Sequence, residues 1–304
     1  MSLRVHHVSC GTMCPFGKCF VEGHGSPFAT ARIHCHVLVV ETNDGILLVD
    51  TGIGAKDVLD RKRLGFEFNF VSRPTLDPAE TAIARIEALG FRQADVRHLV
   101  STHLDVDHAG GLPDFPDAAV HVLEAELHAA LESKHDRYRQ PQFEHGPKWQ
   151  TYGAGGETWM GFEAVRPLTG TGDDVLLIPL PGHTPGQAGV AVRGENGWIL
   201  HAGDAYFSHL EMLPKPKTPL GLAIFQRRLA FDNALRLKNQ ERLRALVRDR
   251  SSEVRVVSAH CPVELRRELE RAQRDDVSRG AGTGRPSRAH AGTPVARGSS
   301  PARP

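Results

Sequence analysis

The chain is 304 residues long, 40% hydrophobic and 24% charged, with a formal net charge of +1. That balance suits one large or two small soluble domains, and it excludes the basic field of a nucleic-acid or anionic-lipid binder. No apolar run approaches the roughly 20 residues that cross a bilayer, and the first residues lack the apolar centre of a secretory signal, so the expectation is a cytoplasmic protein with a small-molecule substrate, no nucleic acid and no membrane.

Val5 to Ser9 has the pattern of an edge strand. Gly11 to Gly25, crowded with Gly and Pro, reads as a hairpin or loop that reaches over the site. The cysteines, Cys10, Cys14, Cys19, Cys35 and Cys261, are odd in number, which argues against a full disulfide framework. Free thiols are the expectation; a small zinc knot of Cys10, Cys14 and Cys19 with His6 and His7 nearby is the alternative. His34 to Glu41 and Ile46 to Val49 read as a hairpin joined by a turn that ends in Asp44-Gly45. Asp50-Thr51-Gly52 leaves its second strand. Asp77-Pro78 has the capping chemistry of a helix start. Ala79, Ala82, Ile83, Ile86 and Leu89 give that helix one apolar stripe, and Gly90 ends it.

Val96 to Ser101 reads as a buried strand that delivers the most informative loop. There His103, Asp105, Asp107 and His108 crowd together before Gly110 and Gly111. Such groups repel one another and desolvate poorly unless a cation sits among them. Imidazole and carboxylate together suit Zn, Fe or Mn. A solvated polar loop is the competing reading, and three later segments weigh against it. His183 follows the apolar run Val175 to Leu180, Asp204 follows Trp198 to Leu200, and His260 follows Val254 to Val257. Loops at the ends of strands are where a rigid scaffold carries its site.

Between these segments, Ala119 to Leu123 reads as a strand and Leu123 to Ser133 as a helix with Leu127 and Leu131 facing inward. Residues 134–160 are polar, aromatic and glycine-rich, the composition of a lid or pocket wall, with His135 and His145 as surface imidazoles. Gln187 to Val192 is a further strand. Leu220 to Arg250 is helical with a polar break at Lys238 to Glu241, and Pro262 to Gln273 is a short closing helix. Residues 275–304, rich in Arg, Gly, Ser and Pro, lack the apolar pattern of a core and are expected to be disordered. One domain, 1–274, is therefore expected.

The motif His103-x-Asp105-x-Asp107-His108, followed in order by His183, Asp204 and His260, resembles the ligand signature of the metallo-β-lactamase superfamily, H-x-H-x-D-H and then His, Asp and His. One position departs: Asp105 stands where the superfamily usually has its second His. Flavodiiron proteins, similar in fold, carry a Glu there. The resemblance implies an α/β fold, a four-layer αββα sandwich with the metals at one edge. It implies two divalent transition-metal ions, zinc first, with iron or manganese as alternatives. His103, Asp105 and His183 would hold one, and Asp107, His108 and His260 the other, with Asp204 bridging. It also gives Asp50 a supporting role behind the ligands. A ligating His does need its second nitrogen oriented, although an ordinary turn leaving a strand would use an Asp equally well.

Two such ions turn water into hydroxide near neutral pH and polarise a carbonyl. Asp107 is the candidate to orient that nucleophile or carry its proton. Tyr206 is the candidate donor to the oxyanion, with a Tyr packed in the core as the alternative. The expected activity is hydrolysis of an ester-like bond, a lactone such as an N-acyl homoserine lactone first. A thioesterase of the glyoxalase II kind, iron-dependent oxygen chemistry and a non-catalytic metal-binding module are the alternatives. Asp105 adds a negative charge, which should favour Fe or Mn over Zn and make a bound water less acidic.

Overall fold

The computed structural model describes residues 2–132 and 137–282. Its first sheet holds β1 (Arg4–Met13), β2 (Ile33–Thr42), β3 (Gly45–Val49), β4 (Val96–Val100), β5 (Ala119–Leu123) and β6 (Lys148–Tyr152), side by side in chain order. The second holds β7 (Glu157–Trp159), β8 (Phe162–Leu168), β9 (Gly172–Pro179), β10 (Ala188–Gly194), β11 (Gly197–His201) and β12 (Val254–Val257), also in chain order. Strands β3 to β6 run parallel, as do β11 and β12; the remaining neighbours are antiparallel.

Alternation along the strands decides the layers. In β2, Leu38 and Val40 face one way, Val37 and Val39 the other; in β3, Leu47 and Val49 oppose Ile46 and Leu48. In β9, Val175 and Leu177 oppose Leu176 and Ile178. A strand that is apolar on both faces must be covered on both. Leu38, Val40, Leu47 and Val49 meet Val175, Leu177, Val190 and Val192 in a layer between the sheets. Outside the first sheet lie α4 (Ala82–Ala88), with Ala82 and Ile86, and α6 (Glu124–Glu132), with Ala130. Outside the second lies α8 (Asn233–Arg250), with Leu243 and Leu246. Each fully buried aliphatic side chain stabilises the fold by about 1.5–3 kcal/mol relative to exposure. The result is the αββα sandwich. Short helices α1 (Lys18–Glu22), α2 (Ala55–Leu59), α3 (Phe66–Val71) and α5 (Val106–Ala109) sit in loops, α7 (Leu220–Leu229) precedes α8, and α9 (Pro262–Gly282) closes the described chain.

Several local expectations need correcting. Gly11 to Gly25, expected as a hairpin or loop, is a loop without a return strand: β1 runs on to Met13, and the short helix α1 lies within it, entered and left by glycines at positive φ. The stripe after Asp77 breaks in two. Asp77 caps only a 3-10 turn, Pro78–Glu80, and the Thr81 hydroxyl accepts from the Ala84 N–H to start α4 afresh. Leu131, expected inside, is 55% exposed, because α6 turns Ala130 to the core instead. Within residues 137–160, expected to form a lid or pocket wall, β6 extends the first sheet and β7 pairs with β8 of the second. The break between α7 and α8 falls before Asp232, whose side chain caps Ala234 and Leu235, not at the polar 238–241 stretch, where Asn239 and Gln240 are buried. The closing helix passes Gln273 and takes in the start of the expected tail; residues 283–304 lie outside the described residues, as do 134–136 with His135. Among the described cysteines all five are free.

Candidate metal centre

The loop after β4 is bent into its shape by backbone contacts. A Cβ on Gly54 would stand 2.0 Å from the Gly110 carbonyl oxygen, so two loops meet here as bare backbone. Asp105 sits at the N-cap of α5, yet its carboxylate caps nothing in the helix. That helix turns Asp107 and His108 inward, and both are buried.

Behind the ligands stands Asp50, at φ 60 and 2% exposed. It accepts from the Thr102 N–H at 2.7 Å, from the Thr102 hydroxyl at 2.8 Å and from His108 Nδ1 at 2.8 Å. The supporting role is thus what its geometry provides. His260 Nδ1 donates to the His34 carbonyl at 2.8 Å, and His103 Nδ1 lies 3.0 Å from the Thr102 hydroxyl. These contacts leave each Nε2 free to point into a common space.

Two clusters of ligand atoms fill that space. In one, Asp204 Oδ2 lies 3.9 Å from His103 Nε2 and 3.4 Å from His183 Nε2. Asp105 Oδ2 lies 3.4 Å and 3.1 Å from the same nitrogens. In the other, Asp204 Oδ1 lies 3.3 Å from His108 Nε2 and 3.1 Å from His260 Nε2, and Asp107 Oδ2 lies 3.9 Å and 3.4 Å from them. Four ligands about 2.0–2.1 Å from a tetrahedral ion are about 3.4 Å apart. Both clusters have that spacing, and the two oxygens of Asp204 belong one to each. His103 Nε2 and Asp204 Oδ1 are buried with no hydrogen-bond partner among the described residues. His108 and His260 bring their Nε2 atoms within 3.3 Å of each other, which suits two lone pairs aimed at one cation. The residues fit a divalent ion in each cluster.

Electrostatics agree. Burial opposes charge on His108, but Asp204, Asp50 and Asp107 outweigh it and raise its pKa well above the ordinary imidazole value; His260 shifts the same way beside Asp204 and Asp107. Burial also opposes charge on Asp204, and His260 and His108 overcome it to hold the carboxyl well below its usual range. A pocket that concentrates carboxylates this way attracts cations.

A model of the metallo-beta-lactamase superfamily matches residues 31–250. The chain belongs to the metallo-beta-lactamase superfamily. It is a metallo-hydrolase of that superfamily. A protein named probable metallo-hydrolase Rv2300c, from Mycobacterium tuberculosis, is 42% identical over 264 residues, 86% of this chain and 81% of the relative. An N-acyl homoserine lactonase, AttM of Rhizobium radiobacter, is 32% identical over 64% of this chain and 72% of its own. Among solved structures, a mutant of Bacillus thuringiensis AiiA with N-decanoyl-L-homoserine at its active site superposes with a TM-score of 0.65 at 20% identity, covering 90% of this chain and 97% of that one. At that identity the likeness is one of fold.

Within this metallo-beta-lactamase frame, the sequence-predicted ligands His103, Asp107, His108, His183, Asp204 and His260 converge. Tyr206 does not join them. It is fully buried in the core, and its hydroxyl donates to Glu264, 3.1 Å from both carboxylate oxygens. Burial raises the Glu264 pKa to about 7. The aromatic ring at the ligands belongs to Phe207, stacked on His260 at 5.0 Å and edge-on to His183 at 6.0 Å. One step along the chain turns the side chain to the other side, and Phe207 has no proton to donate.

Two residues escaped sequence reasoning. Arg137 reaches in from the segment before β6 and forks onto Asp105, Nε to Oδ1 at 2.7 Å and Nη2 to Oδ2 at 2.8 Å. Burial opposes ionisation of Asp105, but Arg137 and the histidines more than offset it, and its carboxyl stays well below the usual range. The extra charge expected to make a bound water less acidic is therefore compensated from within the chain. Glu126 of α6, fully buried, accepts from the Leu104 N–H at 2.9 Å and the Gly186 N–H at 3.1 Å, so one carboxylate ties the His103 loop to the His183 loop. An acidic residue in the first turn of a helix is too common a pattern to have marked it.

Proposed function

We propose that the chain hydrolyses an ester-like bond in a small molecule, a lactone first and an N-acyl homoserine lactone in particular. The observation that carries the reading is the pair of ligand clusters sharing Asp204, with Asp107 at the rim of one. The lactonases among its relatives support the choice of bond. Divalent ions held in the clusters, zinc first, would acidify a water and polarise the carbonyl.

The chain's own residues supply the rest. Asp50 and the His34 carbonyl accept from Nδ1 of His108 and His260, so that Nε2 is the atom each would turn to an ion that replaces its proton. Asp107, 3.4 Å from His260 Nε2 and with a side chain 11% exposed, is placed to take a proton from the attacking water and pass it to the leaving oxygen. Phe207 forms an apolar wall over two of the imidazoles and keeps bulk water from that side. The test is a panel of lactones, thioesters and β-lactams assayed with zinc-loaded protein, the ring-opened acid being followed by mass spectrometry. Lactone turnover that disappears in Asp107→Asn supports the reading. Thioester turnover with inert lactones would move the assignment to the glyoxalase II kind. Activity only with iron and dioxygen would refute hydrolysis.

A further inference from the structure

We propose that the two metal positions are unequal, and that Arg137 makes them so by contesting the His183–Asp105 corner of the first. The inference rests on the metal-centre reading above. Around the second position nothing among the described residues competes. His108 and His260 each have Nδ1 anchored, to Asp50 and to the His34 carbonyl, and their Nε2 atoms meet only Asp107, Asp204 and each other.

His183 is placed differently. Its Nδ1 is buried without a hydrogen-bond partner among the described residues. Its Nε2 lies 2.9 Å from Arg137 Nη2 and 3.1 Å from Asp105 Oδ2. An imidazole nitrogen has one lone pair, so Nε2 accepts from the guanidinium or binds a cation, and not both. Arg137 does not yield by losing a proton, because a guanidinium stays protonated in proteins. It is also tethered: Nη1 donates to the Leu229 carbonyl at 2.6 Å while the fork holds Asp105. Its charge lies beside the position a first ion would take, only 24% exposed, where salt screens little. An ion entering the first position must displace one hydrogen bond and sit beside a fixed positive charge. Since Arg137 already neutralises Asp105, one ion in the second position together with the guanidinium gives the centre a large part of the positive charge that two ions would bring.

The experiment titrates Zn(II), and separately Co(II) with its visible absorption, into the metal-free full chain and into Arg137→Met and Arg137→Lys. The wild type should bind in two steps at least about tenfold apart, or bind one ion only, and His260→Ala should remove the tight step. Arg137→Met should strengthen the weak step by about tenfold or more and draw the two together. Arg137→Lys, which keeps the charge without the fork, should fall between. Two equal steps in the wild type, or a weak step that weakens further in Arg137→Met, overturns the proposal. If Arg137→Met does not fold, the wild-type steps and Arg137→Lys decide it in the same terms. No ion bound at either position would instead refute the metal-centre reading itself.

Discussion

Replacing Glu126 with alanine should loosen both ligand loops at once. Its two oxygens are acceptors for two buried backbone N–H groups on segments far apart in sequence, Leu104 and Gly186. Each donor left unpaired costs about 1–3 kcal/mol. A water admitted to the space left by the side chain recovers some of that, so the net loss should be about 2–5 kcal/mol. For a domain of this size, that lowers the melting temperature by roughly 3–8 °C. The loops it releases carry His103 and His183, so first-position metal should be lost before the fold melts. Thermal melts with and without zinc, alongside metal analysis of the purified variant, read both effects. A melting point within about 1 °C of the parent, with undiminished metal, would show that the loops hold their places without Glu126. Glu126→Gln keeps one acceptor and turns an amide N–H towards the other donor, so it should lie between.

Asp50→Asn tolerates the same left-handed backbone but loses the carboxylate that accepts from His108 Nδ1; zinc affinity at the second position should fall about 10–100-fold, and an unchanged affinity by competition with a chromophoric chelator would count against its supporting role. Tyr206→Phe should keep metal content and turnover and cost about 1 kcal/mol through the lost hydrogen bond to Glu264; a turnover loss beyond about tenfold with metal intact would return Tyr206 to the site. Burial lowers His7 from 6.5 to about 3 and His121 from 6.5 to about 4. Below pH 6.5 the unfolded chain therefore takes up protons that the folded chain refuses, and stability falls as pH drops towards those values. Urea titrations of the parent and of His121→Gln across that range isolate one share of the fall, and an identical pH dependence in the two would mean that the His121 imidazole is not kept neutral by the fold.

The strands and the candidate ligands at their ends were legible in the sequence because they are written locally, whereas the four-layer arrangement came from the resemblance that the order of those ligands carries. Apolar runs with two usable faces demand covering on both sides, and a ligand just past such a run lands at a strand end whatever the details of packing. His103, Asp107, His108, His183, Asp204 and His260 each carry that local mark. What the tertiary structure alone decided is how distant residues act on those ligands. Tyr206 and Phe207 are neighbours in the chain, and only the path of the loop after β11 determines which of them faces the imidazoles. Glu126 looks like any acidic residue at a helix start until α6 lies across both ligand loops. Arg137 looks like a surface cation until the segment before β6 folds back on Asp105. Each of these roles depends on a contact across many intervening residues, and a hydrogen bond or an ion pair leaves no periodicity in the sequence to announce its partner.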